Sequence, residues 1–348
     1  MPQLEIAVIG AGAIGRAHAS LLRRPSEATG LAAIVDPATA ARDFAAWLGV
    51  PWFADLQAML SVRRPDGAIV AAPNDAHAPL TTALLAHGVP TLVEKPLASN
   101  LAEAEAIVAA QERSGVAVLV GHQRRYNPII EMARAVVASG RLGRLVTVAG
   151  LAIFRKDDAY FEAAWRREAG SGGPILINLI HEIDLVRHVC GEVASVHAFA
   201  AHAARAFDVE DTAVVLLRLV NGALATLTLS DAAPSPWSWD VSSRESAAYP
   251  PLPARATSHV LCGTEASLTL PHLEIWRHAG PCGWREPLQV EAAPFAPGDP
   301  YAAQIAHFAR VIRSQDAPQV SARDAAATLR ATLAVRDAAQ TGATIDLS

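Results

Sequence analysis

Five short apolar runs separated by helical segments fill residues 4–121, and this alternation limits what the chain can become more than any other feature. The runs are LEIAVIG (4–10), LAAIVD (31–36), GAIVAAP (67–73), TLVEK (91–95) and VAVLVG (116–121), and helical patterns cover 14–23, 38–48, 77–87 and 100–113. Strands that are apolar on both faces need cover on both faces, and the intervening helices supply it. With right-handed crossovers the result is a doubly wound α/β Rossmann domain over residues 1–121.

The first run ends in GAGAIG, residues 10–15. Gly10 permits a tight turn, Gly12 lets backbone approach a pyrophosphate, and Gly15 lets helix and strand pack closely. Ala13 and Ile14 open the helix, whose N-terminus offers unpaired N–H groups and a positive dipole end. Asp36 closes the second strand. A carboxylate there accepts bonds from both ribose hydroxyls of NAD and repels a 2′-phosphate, so NAD is expected rather than NADP. APNDAH (72–77) and EKP (94–96) lie at the carboxyl ends of later strands, the edge where such sheets bind ligands. They add Pro73, Asn74, His77, Glu94 and Lys95 to the cofactor set. Pro96 biases Lys95 to extended backbone, and the bond between them is a candidate for the cis form.

After residue 127 the rhythm changes. A helix (127–139) and a strand (144–154) precede a Gly-rich loop (170–173) and a helix carrying INLIHEID (177–184). Strand candidates follow near 193–203, 211–220, 222–230, 257–262, 265–270 and 272–277, with a hairpin signal at Asn221-Gly222. Helices are expected at 300–314 and 321–340. The second half, 122–348, therefore reads as one α+β domain with a large, mostly antiparallel sheet for substrate binding and oligomerisation. Strand 213–219 is apolar on both faces, Ala213, Val215 and Leu217 against Val214 and Leu216. One face is left for a second subunit, which points to a homo-oligomer.

INLIHEID interrupts a greasy run with Asn178, His181, Glu182 and Asp184. In a helix, Asn178, His181 and Asp184 follow one another at intervals of three along one side. The second histidine of HExxH is missing, and His188 with His181 makes only two ligands, so no metal site is expected. Aromatics suited to sugar faces stand in 157–167 and 234–240, where Tyr160, Arg166 and Trp237 are substrate candidates. Trp165 and Trp239 serve equally well as packing.

The ordered set GAGAIG, VDP, APNxxH, EKP, GHQRRYNP, GG…HxxD and DPYAAQIAHF resembles the Gfo/Idh/MocA family, relatives of glucose–fructose oxidoreductase and inositol dehydrogenase. The resemblance covers almost the whole chain. It implies a two-domain NAD(P)-dependent oxidoreductase, dimeric or tetrameric through its C-terminal sheet, acting on a hydroxyl-bearing carbon of sugars, cyclitols or related polyols. It also implies that Lys95 touches nicotinamide ribose and the reacting oxygen, that His181 and Asp184 are the HxxD pair, and that Gln123 and Arg124 meet substrate. Many polyol-oxidising members carry Asp four residues before the histidine. Ile177 stands there, so a full Lys–Asp–His arrangement and inositol specificity do not transfer.

Alcohol oxidation needs a base for the proton and a cation for the developing alkoxide. His181 as acid–base group with Lys95 as electrostatic partner fits, and the two roles are exchangeable. Other readings stay open: a dehydrogenase of a non-sugar hydroxy or oxo acid held by Arg124 and Arg166, a redox-neutral lyase, or a non-catalytic NAD sensor or scaffold. A net charge of -5 with both signs dispersed argues against nucleic-acid or membrane partners. Three scattered cysteines and a start without a signal-peptide pattern point to the cytoplasm.

Overall fold

A computed structural model describes residues 2–170, 172–246 and 249–347, so Ser171 of the Gly-rich loop, together with Ala247 and Ala248, lies outside the described residues. The chain divides into two compact units. The first comprises 1–123 and 301–329, the second 124–300 and 330–348.

In the first unit the strands β1 (Leu4–Ile9), β2 (Thr29–Val35), β3 (Trp52–Phe53), β4 (Gly67–Val70), β5 (Thr91–Glu94) and β6 (Val118–Gly121) form a parallel sheet in the order β3-β2-β1-β4-β5-β6. Helices α1 (Ala13–Leu22), α2 (Thr39–Leu48), α3 (Leu56–Val62), α4 (Asn74–Ala86) and α5 (Leu101–Ser114) connect them. The expected doubly wound topology is present, and its strand order reverses between β1 and β4, where such sheets hold a dinucleotide. Strands β4, β5 and β6 are buried along their whole length, as the continuous apolar runs require.

The short pair β3 and α3 was not foreseen. β3 has only two residues, too few for a period-two pattern, and α3 is marked chiefly by its Asp55 cap, which accepts from the Ala58 N–H at 2.7 Å.

The second unit contains α6 (Pro128–Ala138), β7 (Leu145–Ile153), α7 (Ile180–Cys190), β8 (Val193–Ala201), β9 (Thr212–Leu219), β10 (Leu224–Ser230), α8 (Trp239–Ser242), β11 (His259–Gly263), β12 (Ala266–Leu270), β13 (Glu274–His278), β14 (Leu288–Ala292) and β15 (Ile345–Asp346). Its sheet runs β14-β13-β12-β11-β7-β10-β9-β8-β15, and every pair is antiparallel except β10 with β7. The β9–β10 hairpin turns at the predicted Asn221-Gly222. Strands β14 and β15 escaped sequence reading: β14 is exposed along its length and carries no core-facing alternation.

The domain division differs from the expected 1–121 and 122–348. Helix α9 (Pro300–Ile312) and the start of α10 (Ala322–Thr341) return to the first unit, with the boundary inside α10 after Leu329. The reason is packing. An added Cβ on Gly67 of β4 would lie 2.6 Å from Ile312 and 3.2 Å from Phe308, and the Val120 N–H of β6 donates to the Val320 carbonyl at 3.0 Å. The amphipathic pattern of α9 shows that it has a buried face, not which sheet it covers.

Candidate functional site

On the first unit, the glycines of 10–15 act as their spacing predicts. Gly10 has φ +96°, and a Cβ there would lie 2.5 Å from the Ala71 carbonyl. A Cβ on Gly15 would approach the Gly10 carbonyl to 2.0 Å, whereas one on Gly12 meets no protein atom within 4 Å. Gly12 caps α1 with no side-chain hydrogen bond, and no acidic residue occupies the first turn. The N–H groups and positive dipole end are thus left to an anion, which is what a pyrophosphate needs.

Asp36 follows β2 and is locked by backbone donors: Ala11 N–H gives to one carboxylate oxygen at 2.7 Å and Ala38 N–H to the other at 2.8 Å. Each oxygen keeps a lone pair for a ribose hydroxyl. The residues present therefore fit NAD.

Lys95 is half-buried directly after β5, and its bond to Pro96 is cis. Pro73 is exposed and Asn74 half-buried at the start of α4. The two remaining cofactor candidates have framework partners. His77 is buried, with its ring nitrogens 2.8 Å from the Pro96 carbonyl and 2.9 Å from the Ala72 carbonyl. It ties the EKP loop to the APN loop, and burial pushes its pKa down despite both carbonyls. Glu94 is buried against His18 at 2.7 Å. Burial would raise its carboxyl, but the His18 bond and the Lys95 charge hold it below the ordinary range. The sequence shows the position of such groups at the sheet edge but not the direction of their side chains.

On the second unit, the helix carrying INLIHEID opens with a wide π-type turn over Ile175–Leu179 and continues as α7. Gly173, at φ +86°, leads into it, and the Glu210 carboxylate accepts from the Ile175 N–H at 2.8 Å. A π turn inserts an extra residue into a helix and re-aims the side chains on it. From Pro174 to Arg187 only Ile177, Asn178 and His181 are half-open; every other residue is buried.

Asp184, expected along one side of the helix with Asn178 and His181, is buried where they are half-open. It is 2% exposed and bound bidentately by Arg125, at 2.9 Å from Nε and 2.6 Å from Nη2. Arg124, expected at the substrate, is 3% exposed and also held by protein carboxylates: Glu182 at 2.7 Å and both oxygens of Asp240 at 3.2 Å. Burial would lower its pKa, but Glu182 and Asp240 raise it. Burial likewise would raise Glu182, yet Arg124 and His259 bring it down to about 2. Gln123, the last residue of the first unit, is buried too. The signal for these pairs was present as two adjacent arginines and two carboxylates spaced by two. Sequence gave no means of matching one to the other.

Tyr160 and Arg166 do come together. The Tyr160 ring has Arg166 4.0 Å from its centroid and the Lys156 ammonium 4.3 Å away. Burial pushes the Tyr160 hydroxyl up. Trp237 is 51% exposed, whereas Trp239 is fully buried under Arg124 and belongs to the core. Lys156 and its partners Asp231 and Arg205 were missed, because a lysine beside two aspartates in a loop reads as surface. Among the described residues no group of three His, Cys, Asp or Glu is placed to hold a metal ion.

Two family models match. Residues 4–122 fit an oxidoreductase family with an NAD-binding Rossmann fold, and residues 130–268 fit the GFO/IDH/MocA C-terminal domain. The chain belongs to the Gfo/Idh/MocA family. This member is 34% identical to myo-inositol dehydrogenase Hyg17 of Streptomyces leeuwenhoekii over 57% of its own length and 59% of the relative's. It is 25% identical to scyllo-inositol 2-dehydrogenase (NAD(+)) of Bacillus subtilis, over 99% of the chain and 96% of that protein. The chain spans about three fifths of the length of two curated relatives, Hyg17 and the rhizopine catabolism protein MocA of Rhizobium meliloti. The crystal structure of the WlbA dehydrogenase from Bordetella pertussis, in complex with NADH and UDP-GlcNAcA, has the same fold at a TM-score of 0.81 and 21% identity, covering 99% of both chains. Residues 4–122 of this Gfo/Idh/MocA protein are an NAD-binding Rossmann domain.

Proposed function

We propose that the protein is an NAD-dependent dehydrogenase or reductase that exchanges a hydride with the secondary alcohol or ketone carbon of a sugar, cyclitol or related polyol. The observation that carries the reading is the half-open face of the helix running from Ile175 into α7, where Asn178 and His181 are the polar groups and, from Pro174 to Arg187, every residue but these two and Ile177 is buried. NAD supplies the hydride acceptor when bound.

The chain's own residues do the rest. The α1 N-terminus and Asp36 hold and orient the dinucleotide, as phosphate and ribose ligands. His181 takes the hydroxyl proton on an imidazole nitrogen during oxidation and returns it in reduction. The Lys95 ammonium stabilises the alkoxide oxygen as charge develops on it. Asp184 and Arg124 are positioning residues in this scheme: their ion pairs seat α7 and present His181. Asn178 meets a substrate oxygen, and Tyr160, Arg166 and Trp237 line its approach.

Support comes from the inositol dehydrogenases among the relatives and from a solved levoglucosan dehydrogenase complex with NADH and levoglucosan, of the same fold at a TM-score of 0.81. A homodimer or homotetramer through the second-unit sheet completes the reading.

The test is a screen of polyols, sugars and hydroxy acids with NAD and with NADP, read as absorbance of the reduced nicotinamide. Turnover with NAD on a polyol or sugar is expected. A strong NADP preference sinks the role of Asp36, and turnover of hydroxy acids alone moves the substrate to the acid class.

A further inference from the structure

Lys156 is a buried lysine, 8% exposed, that follows β7 and reaches the start of the helix bearing His181. Its ammonium donates to the Asn178 side-chain oxygen at 2.6 Å. An ammonium has three donors and no acceptor, so the amide end facing it can only be the carbonyl. The Asn178 NH₂ is then turned away from Lys156, and it has no partner among the described residues. Asn178 itself is half-open, on the same face as His181.

The geometry points to Lys156 as a specificity-determining positioning residue, which fixes the Asn178 amide so that its N–H donors face the substrate. This rests on the proposed dehydrogenase function and narrows its substrate. The position next to the proton-handling histidine offers donors and no acceptor. It favours a molecule with an acceptor-only oxygen beside the reacting carbon, such as the carboxylate of a sugar acid, over one with a hydroxyl there.

Two further features agree. The bond from a cation polarises the amide and strengthens its N–H groups as donors. Arg166, 4.0 Å from the centroid of the same Tyr160 ring, has a buried Nε with no partner among the described residues. Asp231 lies 3.7 Å from Lys156, but it is already bonded to Arg205 at 3.1 Å, so it does not cancel the lysine alone.

The experiment compares D-glucuronate with D-glucose as a matched acid and neutral pair. Each is titrated calorimetrically into the NADH complex, and each is assayed with NAD. Wild type should bind the acid more tightly. Lys156→Met frees the amide to rotate and should cut the preference about tenfold, with KM rising more than kcat falls, for a loss the size of one charge-assisted bond. Lys156→Arg can still donate to the same oxygen and should restore it.

Should Lys156→Met fail to fold, Asn178→Asp keeps the lysine and replaces the donor end with an acceptor. It should reverse the preference in favour of glucose. Equal binding of both probes by wild type, or an unchanged preference in the folded Lys156→Met protein or in Asn178→Asp, overturns the proposal. An acid preference in binding without turnover of either probe counts against the dehydrogenase reading alone, because the binding comparison does not depend on catalysis.

Discussion

At the residue scale, Asp36 and Lys95 carry the sharpest expectations. Both Asp36 oxygens are pinned by backbone N–H groups, so in its proposed role the carboxylate would meet the ribose without reorganising. Asp36→Ala removes those acceptors and the repulsion of a 2′-phosphate. The NAD to NADP ratio of kcat/KM should fall by roughly 10- to 100-fold, about one to two charged hydrogen bonds, as measured by steady-state kinetics with both cofactors. Lys95→Met should abolish turnover while NADH still binds, measured by fluorescence titration. Near-normal turnover would remove Lys95 from the chemistry. The identities of these two residues and their places at strand ends were legible from GAGAIG, VDP and EKP. The inward turn of His77 and Glu94 was not, because a residue's type does not say which way its side chain faces at a strand end.

At the element scale, the helix from Ile175 through α7 is held by two buried ion pairs. Arg125→Met would remove the bidentate partner of the buried Asp184 carboxylate, at a cost of about 3–5 kcal/mol. Its expected sign is a lower midpoint of thermal unfolding by scanning calorimetry, with activity lost in step with folding.

Glu182 predicts a pH dependence. Its carboxyl is depressed from 4.5 to about 2, so the stability it contributes is fully present above about pH 4.5 and is lost as pH falls toward 2. Urea unfolding at stepped pH should show this loss in wild type. Glu182→Gln, which has no carboxyl to protonate, should show a shallower acid dependence. The expectation that Asn178, His181 and Asp184 share a side came from regular helix geometry. The π turn at Ile175–Leu179 breaks that regular spacing between Asn178 and His181, and Asp184 is buried against Arg125 while the other two are half-open. Neither is visible in a hydrophobic pattern.

At the scale of the whole molecule, the sheet of the second unit bears on association. In β9 the residues Ala213, Val215 and Leu217 are buried to 2% exposure or less, while Val214 and Leu216 are 43% and 48% exposed. Phe199, paired with Val214 across β8 and β9, is 67% exposed on that same face. The alternation read from the sequence is thus present, and so is the uncovered apolar face. Leu216→Asp with Phe199→Asp should yield a monomer by light scattering on a sizing column if this face joins two copies. An unchanged mass would place the interface elsewhere. Among the described residues no helix is long and apolar enough to cross a membrane.

The sequence by itself determined the doubly wound sheet, the glycine turn with its acidic partner, the antiparallel second half and the helix that carries His181. Each is encoded locally, through apolar periodicity, glycines where a Cβ would collide, and turn dipeptides. Tertiary structure alone decided which arginine holds which carboxylate, that residues 301–329 return to the first unit, and that Lys156 donates to the side-chain oxygen of Asn178. Those outcomes join residues 22 to more than 100 positions apart. Charge and hydrophobicity show that a side chain needs a partner, and only the folded geometry selects which one.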